Sequence, residues 1–379
     1  MFPPNSKKIP CIIFECDLSL DIRTKLFLKT IKSYKIIKSL STVKYLQHSQ
    51  INKEKWDTCI EQSPQAVIYA HAFYLDIVSP FWEAIVEEEN GNYLTVMPLT
   101  WRKKYGITFL HQPIFCQQLG LFSIAKEISM EKIGQFFHLL FETYPFIPRY
   151  QWNVHNTRIF KNLHQKDFVN LSGESIFLQK FSHKHLTFFT THHLSLSQPY
   201  SVLYQNYSKD RKMNLKRAKK AHLEIIESED MEPLLAMFEK DIAQKLPKGV
   251  APNAYELFRE IYMALKERKW GKLFYTKNTK GEIKAGALFV FYQNQIIYLF
   301  NACYQEARKE NGRTLLIDHI IQNYANSTYT FDFESPEIER IAYFYKSFGA
   351  EEILYPALLN YNQLPFWVNV LWKVKKYFQ

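Results

Sequence analysis

The fold turns on one stretch, "CYQEARKENGRTLLIDHIIQNY", Cys303 to Tyr324. It follows an apolar run, Ile296 to Ala302, that reads as a strand, and its second part spaces apolar residues as an amphipathic helix does. A polar loop thus joins a strand to a helix, with Gly312 at the junction. Glycine at a helix start lets backbone approach an anion closely, and the unpaired N–H groups and the helix dipole attract a phosphate. Arg308, Lys309 and Arg313 add cations beside it. Taken alone, the pattern reads as readily as a charged surface turn. Its place between a strand and an amphipathic helix is what points to a binding loop.

Downstream, "YTFDFES" reads as a strand and "EIERIAYFYKSFG" as a helix closed by Gly349. Asp332 and Glu334 flank Phe333, so on a strand both face one side. Either serves as a base or as a surface carboxylate. Tyr345, on the helix facing the sheet end, is a candidate proton donor to a leaving group, against the plainer reading of a core aromatic.

Upstream lies "SKDRKMNLKRAKKAHLEII", Ser208 to Ile226, with Lys209, Arg211, Lys212, Lys216, Arg217, Lys219 and Lys220 opposed mainly by Asp210. One helix is expected from Leu203 to Ala221. On it Tyr204, Tyr207, Arg211, Asn214, Leu215 and Ala218 share an inward side, and the lysines make a solvated face.

The chain has 379 residues, a length for two domains, and its 47% hydrophobic and 16% aromatic content suffices for a sizeable core. A formal charge of +11 favours anionic partners. Five scattered cysteines suggest a reducing, cytoplasmic setting without a disulfide framework. The early run "IPCIIF" is too short for a signal peptide and meets Glu15 and Asp17 at once. The uncharged run Ile353 to Trp372 has the length of a bilayer span, but its prolines, asparagines and glutamine suit a strand over 353–361 and a short amphipathic helix over 365–378. That argues against an integral span and leaves peripheral contact open. His183, His185, His192 and His193 have no Cys or Glu at ligand spacing and read as linker histidines, so no metal is expected. No zinc finger, helix-turn-helix, Gly-x-Ser-x-Gly or nucleotide P-loop occurs, and sequence-specific DNA binding is disfavoured.

Each half reads as meander, helix, strand, helix, a duplication at a spacing of about 180 residues. The expected division is an N-terminal extension over 1–40, a first domain over 41–195 and a second over 196–379, with the boundary near "HHLSLSQPYS". The class is α/β with mixed sheets.

"RKENGRTLL" with the later "FYKSFGA" resembles the acyl-CoA-binding core of the Gcn5-related N-acetyltransferase (GNAT) superfamily. The family loop, Arg/Gln-x-x-Gly-x-Gly/Ala, is matched here as Lys309-x-x-Gly312-x-Thr314, with Lys and Thr as departures. "YSVLYQNYSKDRKMNLKRAKKAHLEII", "AHAFYLD", "VMPLTWRKKYGI", "QPIFCQQLGLF" and "FDFES" are similar to the BioF2-like acetyltransferases and the Fem-type (FemAB-like) peptidyltransferases. The resemblance covers about residues 45–362. It implies tandem GNAT-like domains with splayed sheets, the first degenerate and acceptor-binding because "FSIAKEISMEKIG" replaces its glycine-rich loop.

It further implies an acyltransferase that moves an acyl group from acyl-CoA to an amine by direct attack, without a covalent intermediate. Arg308, Lys309, Gly312, Arg313 and Thr314 would hold the coenzyme A phosphates. Tyr345, Asp332 and Glu334 would serve the chemistry. Arg211, with Asn214 and Tyr207, would anchor the acceptor, a small molecule or a cell-wall precursor. The alternative is an aminoacyl-tRNA-dependent transferase acting on a cell-wall precursor, with tRNA as partner. A third reading is a degenerate fold that only binds.

Overall fold

The structure is a computed structural model that describes residues 42–164, 185–245, 249–334, 338–366 and 368. The extension over 1–40 and most of the helix expected over 365–378 lie outside the described residues. The described residues belong to one compact unit.

The chain runs through one order of elements twice. The first pass is β1 (Thr42–Leu46), α1 (Lys53–Gln62), α2 (Ala72–Val78), β2 (Glu83–Glu89), β3 (Asn92–Leu99), a small hairpin β4 (Trp101–Lys104) and β5 (Ile107–Leu110), β6 (Phe122–Ser123), α3 (Met130–Thr143), β7 (Phe146–Gln151), α4 (Thr157–His164) and β8 (Leu186–Ser195). Two helices follow, α5 (Tyr200–Gln205) and α6 (Lys209–Lys220). The second pass is β9 (Glu224–Ser228), α7 (Glu232–Asp241), α8 (Ala254–Glu267), β10 (Gly271–Lys277), β11 (Ile283–Tyr292), β12 (Gln295–Cys303), α9 (Gly312–Asn323), β13 (Thr330–Asp332), α10 (Glu339–Lys346) and β14 (Glu351–Asn362). Strand, two helices, an antiparallel meander, helix, strand, helix, strand describes both. The architecture is α/β with mixed, open sheets.

Sheet order shows how the repeats join. The first meander forms a sheet β1-β2-β3-β6, and the other large sheet runs β7-β14-β8-β13-β12-β11-β10-β9. β14, the last strand of the second repeat, lies against β7 of the first, while β8, the last strand of the first, lies against β13 of the second. β8 and β14 pair antiparallel from Glu351↔His193 to Leu358↔Leu186. Strands β7 and β8 of the first repeat are therefore interleaved with β14 and β13 of the second in one sheet.

Two expectations change here. The helix expected over Leu203 to Ala221 is broken, because Ser208 caps α6 by accepting the Arg211 N–H (3.1 Å) and gives its own N–H to the Ser347 carbonyl (2.9 Å). His185 immediately precedes β8, and His192 and His193 lie on it, in the middle of the sheet rather than in a linker. His183 is outside the described residues. The run "LTFFTTHHLS" is polar although it lies inside the sheet because Thr191 and His193 share the face toward Asp332, Thr191 donating a hydrogen bond to it and His193 lying 3.4 Å from it as an ion-pair partner.

The large sheet separates two cores. α7 and α8 cover one face with Leu234, Leu235, Phe258 and Leu265, continuous with the first repeat's core. α9 and α10 cover the other with Leu316, Ile317, Ile320, Tyr345 and Phe348. Buried cross-links tie the repeats, including His71 Nε2 to the Tyr292 hydroxyl at 2.7 Å and Tyr69 OH to Glu334 Oε1 at 2.7 Å.

The strand exchange predicts that residues 42–195 and 196–379, expressed separately, each lack cooperative thermal unfolding, and that co-expression restores it. A cooperative transition in either half alone would contradict the exchange as a stability requirement.

Candidate functional site

The site lies where the large sheet opens. β13 pairs with β12 in parallel only from Gln295↔Thr330 to Ile297↔Asp332. β12 runs on to Cys303 without it. Leu288 lies opposite Phe300 while Phe289 lies opposite Tyr298, so Leu299 is an extra residue that bulges β12 at the opening.

On the α9 face, the helix starts beside this gap. Asn311 is its N-cap residue, in left-handed conformation (φ 60°, ψ 33°), and its side chain turns back to the Lys309 carbonyl at 2.8 Å instead of capping the helix. Leu315 is the first to donate its N–H, to the Asn311 carbonyl. The N–H groups of Gly312, Arg313 and Thr314 have no hydrogen-bond partner among the described residues. The matching helix of the first repeat differs: at α3, Ser129 accepts the Lys132 N–H. One helix end is closed by its own side chain and the other leaves its positive pole open.

Gly312 works differently from the sequence expectation. A Cβ there would lie 2.6 Å from Thr276 Oγ1 and 3.0 Å from Ala285 Cβ. The glycine lets α9 lie close on β10 and β11, and only its N–H serves the opening.

Two guanidiniums converge at this helix end. Arg211 is 5% exposed. Its Nε donates to Ser347 Oγ (2.8 Å) and its Nη1 to Thr314 Oγ1 (2.5 Å), with the Phe344 and Phe348 rings at 4.1 and 4.7 Å. Arg313 donates to Asn301 Oδ1 at 3.2 Å and lies 5.5 Å from the same Phe344 ring. No carboxylate bonds either cation among the described residues. Burial, with Arg313 nearby, pulls the Arg211 pKa down to about 10, which leaves it charged at neutral pH. The buried Tyr298 hydroxyl near Arg313 has no hydrogen-bond partner among the described residues. Positive charge is concentrated here against the usual pairing of buried ions.

On the other side of the gap stand the carboxylates. Asp332, 7% exposed, accepts from Thr191 Oγ1 (2.9 Å) and from the Glu334 N–H (2.9 Å), and His193 Nε2 is 3.4 Å away. Burial pushes its pKa up, but His193 and these hydrogen bonds outweigh that and hold it below the usual carboxylate value. Glu334 itself adopts a left-handed backbone (φ 47°), so it does not continue the strand beside Asp332 as the sequence suggested. Its carboxyl meets the Tyr69 hydroxyl from the first repeat. Burial first, with Asp332 adding to it against the Tyr69 hydrogen bond, pushes Glu334 up to about 8.

Tyr345 stands between the two sides. Burial raises its phenol to about 12; Arg313 and a hydrogen bond with Asn301 pull it down, and Glu334 pushes it up.

The structure thus brings together Arg211, Gly312, Arg313, Thr314 and Tyr345, and sets Asp332 and Glu334 across from them. Arg211 stands with the α9 residues rather than apart from them as an acceptor anchor, because Thr314 and Ser347 fix its fork. Four candidates fall elsewhere. Arg308 and Lys309 are exposed on the 3-10 turn Glu306–Glu310. Tyr207 gives its hydroxyl to Asp318 (3.0 Å), joined by Tyr200, and so fastens α5 and α6 to α9. Asn214 is half-buried and accepts from Arg217 at 3.2 Å. Sequence reading missed Asn301, Tyr69, Thr191 and His193. Only the Thr191-x-His193 alternation on a strand would have signalled a partner for Asp332. Among the described residues, no group of His, Cys, Asp and Glu is arranged to hold a metal ion, and no helix is long and apolar enough to cross a membrane.

Residues 205–347 match the family described as acetyltransferase (GNAT) domain. The matched segment, from the end of α5 to α10, makes most of the second repeat similar to a GNAT domain. The chain is similar in fold to FemX, at 12% identity over 84% of this chain and 96% of that one, with a TM-score of 0.55. Weaker likenesses are to a tandem GNAT protein from the clavulanic acid biosynthesis pathway (8% identity, 86% and 100% covered, TM-score 0.47) and to L-PGS from Bacillus licheniformis (12%, 84% and 95%, 0.46). No curated protein matches the chain in sequence.

Two outcomes follow from the geometry. Gly312→Ala should lower stability by about 1–3 kcal/mol, read from the urea midpoint, because Thr276 and Ala285 must move. Glu334 binds a proton more tightly folded than unfolded. Its contribution to stability is full below pH 4.5 and is lost as pH rises through about 8. Glu334→Gln should remove that loss, so the urea midpoint of wild type should fall relative to the variant across this window.

Proposed function

We propose that this GNAT protein is an N-acyltransferase that moves an acyl group from an acyl-CoA thioester to an amine. The family supports acyl transfer in general. The observation that carries the finer reading is the open N-terminus of α9 beside two guanidiniums, Arg211 and Arg313, that form no ion pair with a carboxylate among the described residues. Helix-end N–H groups and paired arginines suit a pyrophosphate.

The acyl carbonyl then lies in the gap between β12 and β13. The amine gives its proton to the Glu334 carboxylate, the C–N bond forms as the C–S bond breaks, and the departing thiolate accepts a hydrogen bond from Tyr345 and later takes a proton from solvent. The acidic Asp332 stays ionised and holds Glu334 in place rather than acting as base. Juxtaposing the two substrates supplies much of the acceleration.

One observation favours a second reading, an aminoacyl ester donor such as aminoacyl-tRNA. A phenol at about 12 is a better acid for an alkoxide than for a thiolate, whose conjugate acid has a pKa of roughly 8.5.

The experiment is calorimetric titration with CoA, acetyl-CoA and bulk tRNA at two salt concentrations. Acetyl-CoA should bind, and Arg313→Gln should weaken it at least tenfold. Tight tRNA binding with a steep salt dependence would instead select the ester donor. Binding of none of the three would overturn the transferase reading. With a donor in hand, kcat should rise with pH through about 8, and Glu334→Gln should cost about 10²–10⁴-fold in rate and abolish that limb.

A further inference from the structure

On the sheet face opposite α9 lies a half-open cavity of about 200 Å³. Its walls combine Phe115 of the first repeat, Leu235 and Phe238 of α7, Val250, Phe258 of α8 and Phe300 of β12. Phe300 follows the bulge at the sheet opening and precedes Asn301. The rings converge on it: Phe258 at 4.5 Å, Phe238 at 5.0 Å and Phe115 at 6.1 Å between centroids. Among the described residues no lining side chain is charged, and Tyr255 supplies the one hydroxyl.

We propose that this cavity binds the apolar body of the amine acceptor, a phenyl-sized aryl or branched alkyl group. The inference rests on the transfer reading above and adds the substrate class. Volume sets the size: an apolar cavity of about 150 Å³ holds benzene, so this one takes a ring and roughly two methylenes. Chemistry sets the character: a phosphate, sugar or peptide body would leave water here without hydrogen-bond partners to replace it.

Location selects the acceptor over the acyl tail. Glu334 meets Tyr69 OH at 2.7 Å, the Tyr69 and Tyr74 rings are 5.6 Å apart, and the Tyr74 hydroxyl donates to the Phe115 carbonyl. Base and cavity therefore share one face and one run of contacts. An acceptor body seated in the cavity therefore lies on the Glu334 side of the sheet. The donor's anionic end is assigned to the opposite face, beside α9.

The test is calorimetric titration of the full chain, without donor, using 2-phenylethylamine and ethanolamine as probes. Phenylethylamine should bind at least tenfold more tightly. Val250→Asp and Ile114→Asp put a charge at the mouth from half-buried and exposed positions, where folding tolerates it. Each should weaken phenylethylamine at least tenfold and leave CoA binding unchanged. Equal binding of the two amines, or variants without effect, would overturn the inference. So would variants that weaken hexanoyl-CoA relative to acetyl-CoA while sparing the amine, since the cavity would then hold the acyl tail. Phenylethylamine binding that survives while CoA, acetyl-CoA and tRNA all fail to bind would fault the transferase reading and leave the cavity's preference standing.

Discussion

One buried carboxylate, Asp332, holds the rest in place. It is the last residue of β13, and its partners come from two directions: Thr191 and His193 on the exchanged strand β8, and the N–H of Glu334 two residues on. Taking a carboxylate out of water costs several kcal/mol, and only a full set of bonds to the ionised form offsets that. Here those bonds do three things at once. They fasten the first repeat's last strand into the second repeat's sheet. They end the pairing of β13 with β12 at Ile297, which opens the sheet. They hold the left-handed turn that points the Glu334 carboxyl toward Tyr69 of the first repeat.

The same interaction explains what the sequence could and could not tell. The meander Gly271 to Cys303, the helix after Gly312 and the helix ending at Gly349 each carry a local signal, a hydrophobic period or a breaker, and each was legible. Arg211 was legible as an inward residue because its neighbours at helical spacing are apolar. β8 was not, because its polar residues find their partners more than a hundred positions away, and a buried Thr–His–Asp set looks like a polar linker when only one strand is in view. Gly312 was recognised by position but for a different reason: the need for close packing on Thr276 and Ala285 is a tertiary fact. Tyr69 lies 265 positions from Glu334, and its run Ile68–Ala70 is merely apolar in sequence. Arg308 and Lys309 were misleading because charge beside a glycine carries no direction until the backbone is known.

The repeats share an order of elements but start their matching helices differently. In the first, Ser129 closes the start of α3, and the first repeat contributes walls instead: Tyr69, Tyr74 and Phe115 along the face where Glu334 lies. In the second, the start of α9 stays open and gathers Arg211 and Arg313. The sheet keeps these two charge environments apart, and that separation has a chemical consequence. A guanidinium against Glu334 would stabilise its ionised form and lower its pKa, leaving a weak base. With burial and Asp332 acting on it instead, Glu334 sits near 8, where a carboxylate takes a proton readily. Tyr345 feels both sides, pulled down by Arg313 and pushed up by Glu334, as a group lying in the gap between them must. A positively charged helix end and a carboxylate of raised pKa thus coexist in one small region because a strand pair that parts after three residues places them on opposite faces.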